Sequence, residues 1–211
     1  MAAIDDLVPV GAEAGVGLAL QDHSGRYLFV LAGTRFGCPP GELFYAGIGG
    51  HREKAETWPA CAHREAKEEI GADIALLSAE KTWHLPRGSP RTCLSLSDCP
   101  RPLAVYEMEH PAGTPRAGKL YHLVIYLARL RGEPRGLAPE EVRGVIALTA
   151  AQVVQGGRSQ STLAAILEGG AAVIAGGESV SRQVCLYPIG TAQALALVLE
   201  SSADLPRLSR A

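Results

Sequence analysis

The chain has 211 residues, 47% of them apolar, and a formal net charge of −2; it can fill one sizeable domain and is too balanced in charge for a bulk nucleic-acid binder. Five cysteines, an odd number without C-x-x-C spacing, argue against a disulfide framework and for reduced thiols in the cytoplasm. No apolar run approaches the ~20 residues that span a bilayer, and the opening MAAIDDLVPV lacks a signal-peptide core.

The near-neutral total hides an asymmetry: residues 1–80 carry 12 acidic and 6 basic side chains, whereas residues 81–135 carry 4 and 9. Such a division suits a cation-bridged anionic small molecule. Residues 1–13 read as a loose lead-in. Residues 15–21 (GVGLALQ) and 27–31 (YLFVL) read as strands joined by a DHSGR turn, a hairpin. A Gly/Pro-rich loop over 33–41 carries Arg35, and residues 43–48 (LFYAGI) form a third strand running into Gly49 and Gly50.

Residues 49–72, GGHREKAETWPACAHREAKEEIGA, are the most informative stretch. Thr57 as N-cap, Pro59 in the first turn and Gly71 at the left-handed C-terminal position predict a helix over 58–70. Pro59, Ala62, Ala66 and Ile70 share one apolar stripe, while Glu65, Glu68 and Glu69 share a neighbouring stripe with Cys61. Like charges at that spacing cost an isolated helix roughly 0.2–0.5 kcal/mol per pair, and carboxylates near its C-terminus oppose the helix dipole. A hard divalent cation offsets both penalties, since Mg²⁺ and Mn²⁺ favour a few carboxylates with substrate phosphates completing the shell. A solvated acidic face is the alternative for the three glutamates alone, but it would need none of the upstream Gly, Glu and Arg.

Gly50, Glu56, Arg64, Glu65, Glu68, Glu69 and Gly71 together spell G-x5-E-x7-R-E-x-x-E-E-x-G, which resembles the Nudix box. Ala66 and Ala72 are small where the family prefers larger aliphatic residues. The resemblance implies an α/β fold, a Nudix-type α/β/α sandwich with a mixed β-sheet, in a single domain over 1–211. Its core covers about residues 12–155, and residues 156–211 add α/β elements of unassigned role. It implies a divalent-cation-dependent hydrolase, with Mg²⁺ or alternatively Mn²⁺. The bond cleaved is the pyrophosphate of a nucleoside diphosphate linked to another group. Carried onto this chain, the metal falls to Glu65, Glu68, Glu69 and the Gly49 carbonyl, and Arg64 ties back to Glu56. A nucleotide-binding or regulatory module on the same fold is the alternative, although such modules typically lose box carboxylates. A diphosphate isomerase would need a catalytic cysteine, for which Cys61 and Cys38 are the candidates.

Beyond the box, a strand lies within 73–83, a Pro-rich segment over 85–102 reads as a long loop, and 102–110 and 120–131 read as strands. Arg35, Arg52 and Arg87 are candidate phosphate contacts, with Arg91, Arg116 and Lys119 nearby in the loops; solvated roles are the alternative. Pro86 falls near the offset at which some ADP-ribose-cleaving relatives carry a proline. Cys93 and Cys99 with His84 or His110 lack the spacing of a zinc site. Trp58, Trp83, Tyr45 and Phe44 are core or base-stacking aromatics. By the same resemblance, aligning residues 146–153 with the last strand and helix picks out Glu141, beside Glu140, as the residue that completes the metal site or acts as base. An ordinary turn is the other reading. The segments 159–170, 183–189 and 191–202 read as helix, strand and helix that cover the sheet, extend the pocket or form a homodimer contact. Residues 205–211 read as a frayed tail.

Overall fold

Ile4 and Val8 are buried, so the lead-in expected to be loose is a helical turn, α1 (Ile4–Leu7), pinned by an Ile4 N–H donated to Asp98 Oδ2 at 3.0 Å. The computed structural model describes residues 2–110 and 117–203; Arg116 and the 205–211 segment lie outside them. β1 (Ala14–Gln21) and β2 (Tyr27–Ala32) form the expected hairpin, whose turn closes on Asp22 Oδ1, an acceptor for the Ser24 and Arg26 N–H groups at 2.9 Å. Both strands are buried along nearly their whole length, which is why they read as continuous apolar runs without alternation.

β3 (Glu42–Ala46) leads through the glycine turn to α2 (Trp58–Ile70). The helix has the predicted bounds for the predicted reasons. Thr57 Oγ1 accepts from Ala60 N–H at 3.2 Å, and Gly71 adopts φ 60°. Next come β4 (Asp73–Leu77), β5 (Thr82–Leu85), β6 (Thr92–Leu94), β7 (Ala104–Glu109) and β8 (Leu120–Arg131). The 85–102 segment is therefore not one long loop: β6 turns back on β5, and Leu96 is fully buried. β9 (Val142–Leu148) starts earlier than expected, directly after Glu141, and precedes α3 (Ala150–Arg158).

The last segments are β10 (Ser161–Thr162), α4 (Leu163–Glu168), β11 (Ala172–Gly176), β12 (Cys185–Pro188) and α5 (Thr191–Ala203). β11 lies in a Gly-rich stretch, residues 169–177, whose composition alone predicts no strand. The twelve described strands form one mixed sheet in the order β10-β12-β3-β2-β1-β8-β7-β5-β6; β9 joins β2 and carries β11, and β4 joins β8. β1 runs parallel to β8 along its whole length, and β12 runs parallel to β3. Val16, Leu18 and Leu20 of β1 meet Ala62, Ala66 and Ile70 of α2 in one core. On the opposite face Phe29, Leu31 and Tyr45 meet Val153, Leu195 and Val198 of α3 and α5. The C-terminal elements thus cover the sheet. Gly17 and Gly47 leave the space that Thr191 fills: a Cβ built on either would lie 1.9 Å or 2.6 Å from its side chain.

Candidate active site

The turn after β3 brings main-chain groups against the acidic side of α2. Gly49 takes φ 148°, a conformation open to glycine, and donates its N–H to Glu69 Oε2 at 2.9 Å. A Cβ on Gly50 would come within 2.5 Å of the Glu65 carboxylate, so glycine is what lets the chain pass over that group. Gly50 is fixed from the other side, its carbonyl accepting from Val16 N–H at 2.9 Å.

Arg64 is the hub of the site. Its guanidinium donates to both Glu56 oxygens at 3.0 Å, to Glu65 Oε1 at 2.8 Å, to Glu68 Oε2 at 2.9 Å and to the His51 carbonyl at 2.9 Å. The Glu56 pair is bidentate, the strong form of a charged hydrogen bond. Arg64 holds the Glu56 carboxyl down at about 2. Glu65 is buried, and its desolvation outweighs Arg64, so its pKa is raised. Cys61 packs against the same network with its thiol pushed up to about 12, chiefly by burial. Burial and the neighbouring Glu56 and Glu65 carboxylates thus favour its neutral thiol form.

Glu69 stands apart from this hub. Its carboxyl is pushed up to about 8, first by desolvation and then by the charges of Glu65 and Glu141, while the Gly49 N–H and Arg35 pull the other way. Glu141 therefore shares the electrostatic field of Glu69. It is held there by Arg35 Nη1, which bonds Glu141 Oε1, and by main-chain bonds from Thr34 and Arg35 N–H to the Pro139 and Glu140 carbonyls at 3.1 Å. Gly33 permits that approach, since a Cβ there would strike the Glu140 carbonyl. Arg35 also lies 4.9 Å from the centre of the Phe36 ring.

The structure thus gathers Gly49, Glu56, Arg64, Glu65, Glu68, Glu69, Glu141 and Arg35 around one turn. Arg52 lies farther along, stacked on Trp58 at 3.9 Å. Arg87 sits at the β5–β6 turn, where it pairs with Glu109. Sequence reasoning missed His51, whose carbonyl serves Arg64, and the Arg35–Glu141 pair; only their opposite charges hinted at the latter.

A family model described as NUDIX domain matches residues 12–165. The chain belongs to this family. NUDIX proteins are hydrolases that act on pyrophosphate bonds of small-molecule nucleotides and typically use divalent cations. The match ends within α4, beyond the 155 expected. No functionally curated protein matches the chain significantly. Among solved structures, a MutT NUDIX hydrolase from Burkholderia pseudomallei is 22% identical, over 66% of this chain and 84% of that one, with a TM-score of 0.44. The E. coli dihydroneopterin triphosphate pyrophosphohydrolase is 16% identical over 67% and 84%, with a TM-score of 0.43. The E. coli ORF135 protein is 11% identical over 91% of both chains, with a TM-score of 0.48. These likenesses are distant, and the family assignment rests on the sequence match. No helix among the described residues is long and apolar enough to cross a membrane.

Proposed function

We propose that this NUDIX hydrolase cleaves the pyrophosphate of a nucleoside diphosphate joined to another group, with Mg²⁺ (or Mn²⁺) held by Glu65, Glu68, Glu69 and the Gly49 carbonyl. The observation that carries the reading is the set of oxygens around the glycine turn. Glu56 commits both carboxylate oxygens to Arg64, whereas Glu65, Glu68, Glu69 and Glu141 each commit one in the described bonds. An all-oxygen donor set suits a hard cation, and the raised Glu69 carboxyl is that of an acid placed where a cation would hold it ionised. A bound cation would neutralise the diphosphate and acidify a water.

The protein's own residues do the rest. Glu56 and Arg64 position Glu65 and Glu68. Glu141, or a box glutamate in its place, takes the proton of the attacking water. Arg52 meets the anionic substrate; Arg35 and Arg87 join it by sharing the guanidinium groups now paired with Glu141 and Glu109. With ADP-ribose, the favoured first substrate to try, attack of water at phosphorus breaks the P–O–P bond and yields AMP and ribose 5-phosphate. The test is a panel of ADP-ribose, dinucleoside polyphosphates, coenzyme A and nonstandard nucleoside triphosphates, with Mg²⁺ or Mn²⁺ and products identified by mass. Cleavage that Glu68→Gln and Glu69→Gln abolish is expected. Parent-like turnover in both variants would overturn the metal assignment.

A further inference from the structure

A second set of ligand-type side chains lies one residue beyond the glycine turn. Glu13 precedes β1, His51 follows Gly50, and His110 follows β7, yet one donor atom from each lies within 4.8 Å of the other two. His51 Nε2 and Glu13 Oε2 are 3.6 Å apart. The His51 and His110 rings lie nearly parallel, 11° apart in plane with centroids at 6.2 Å, and Tyr121 packs on both at 4.8 and 4.9 Å. We infer that these three residues form a transition-metal site of the zinc class, separate from the carboxylate site on α2.

Three observations support this. The first is donor chemistry. Two imidazoles and a carboxylate are borderline ligands that suit Zn²⁺, whereas the carboxylates on α2 are hard and suit Mg²⁺. The two sites would therefore sort ions by type.

The second is spacing. Bonds of about 2.0–2.1 Å in a tetrahedron put ligand atoms roughly 3.3 Å apart. The Glu13–His51 pair, at 3.6 Å, is close to that, and no separation in the set exceeds 4.8 Å. Main-chain bonds fix the three segments that carry the set: the Glu13 carbonyl accepts from His122 N–H at 2.9 Å, Arg52 N–H donates to the Ala14 carbonyl at 3.1 Å, and His110 N–H donates to the Lys119 carbonyl at 3.0 Å.

The third is access. Glu13 and His51 line a cleft of about 570 Å³ that also exposes Arg52 and Lys54. A three-residue set beside such a cleft leaves a fourth position for water or an anionic ligand. Because the His51 carbonyl accepts from Arg64 at 2.9 Å, an ion here would brace the Gly49–Gly50 turn from the far side of the hub. The site differs from the Cys93 and Cys99 combination weighed from sequence, since both of those cysteines are exposed and outside this cluster.

The experiment is calorimetric titration of the chelator-treated full chain with Zn²⁺, with saturating Mg²⁺ present to occupy the carboxylate site. Co²⁺ absorption reports the ligand field in parallel. One equivalent of Zn²⁺ is expected to bind, with a visible Co²⁺ spectrum. Both should weaken in His51→Ala and His110→Ala by at least the roughly 10–100-fold that even outer ligand partners cost. His51→Gln and His110→Gln keep much of the volume and serve if the alanine variants fail to fold. Glu68→Gln should leave the Zn²⁺ affinity unchanged. The inference falls if the parent binds no Zn²⁺ under these conditions, or if the histidine variants bind it as the parent does. It also falls if Glu68→Gln, rather than the histidine variants, removes the binding. Mg²⁺-dependent hydrolysis is scored separately, so failure of this site and failure of the proposed reaction give different results.

Discussion

Replacing Arg64 with leucine removes the hub and retains most of the side chain's apolar bulk. The side chain is 24% exposed, and of its carboxylate partners Glu56 and Glu65 are 13% and 11% exposed, whereas Glu68 is 59% exposed. The Glu68 contact is a surface pair worth roughly 0–1 kcal/mol. Stranding the other two carboxylates resembles breaking a buried pair, which costs roughly 3–5 kcal/mol. A net loss of about 3 kcal/mol at pH 7 is expected, a large share of the roughly 5–15 kcal/mol available to a domain.

The loss must also depend on pH. Glu56 is held at about 2, below its ordinary value of 4.5. Its contribution is fully present above pH 4.5 and is lost as pH falls through 2. The gap between parent and variant in urea unfolding, followed by circular dichroism, should therefore narrow between pH 5 and pH 2.5. A gap under about 1 kcal/mol at pH 7, or one that stays constant to pH 2.5, would refute the role given to the Arg64–Glu56 charge pair.

Glu69 gives the opposite pH sign: its carboxyl, raised to about 8, stabilises the metal-free fold most below pH 4.5, and that contribution is lost as pH rises through 8. Melting curves at pH 8 should show metal-free Glu69→Gln to be more stable than the parent. In the parent, Mg²⁺ binding at pH 7 should release a proton, detectable as a calorimetric heat that changes with buffer. Glu141→Gln should lower kcat by about 10²–10⁴-fold if Glu141 is the base, with Mg²⁺ affinity nearly kept. An unchanged kcat would return the role to a box glutamate. Leu195→Ala, at a side chain only 1% exposed in α5, should cost about 2–5 kcal/mol and shift one cooperative transition; two separated transitions would show that the C-terminal elements fold apart.

What could be read in advance was local. The bounds of α2 follow from Thr57, Pro59 and Gly71, all within or beside the helix. The box carboxylates follow from their spacing. What could not be read depends on partners distant in the chain. α1 is ordered by Asp98, β6 by β5, and β11 by β9, none of which leaves a periodic trace. Within the site, Glu65 looked equivalent to Glu68 because both lie on one stripe. The turn crossing above at Gly50 buries the first and leaves the second exposed. The Glu13, His51 and His110 cluster was invisible for the same reason, since three separate segments supply it.

Thr191 bears on where this enzyme could be shortened. It plugs the hollow left by Gly17 and Gly47, next to the turn that presents Gly49. A chain ended at residue 165, where the family pattern stops, would keep every box residue. It would nonetheless lose β12, α5 and that plug, leaving a void behind the Gly49–Gly50 turn. The support behind the glycine turn therefore comes from past the recognisable motif, at the start of the final helix.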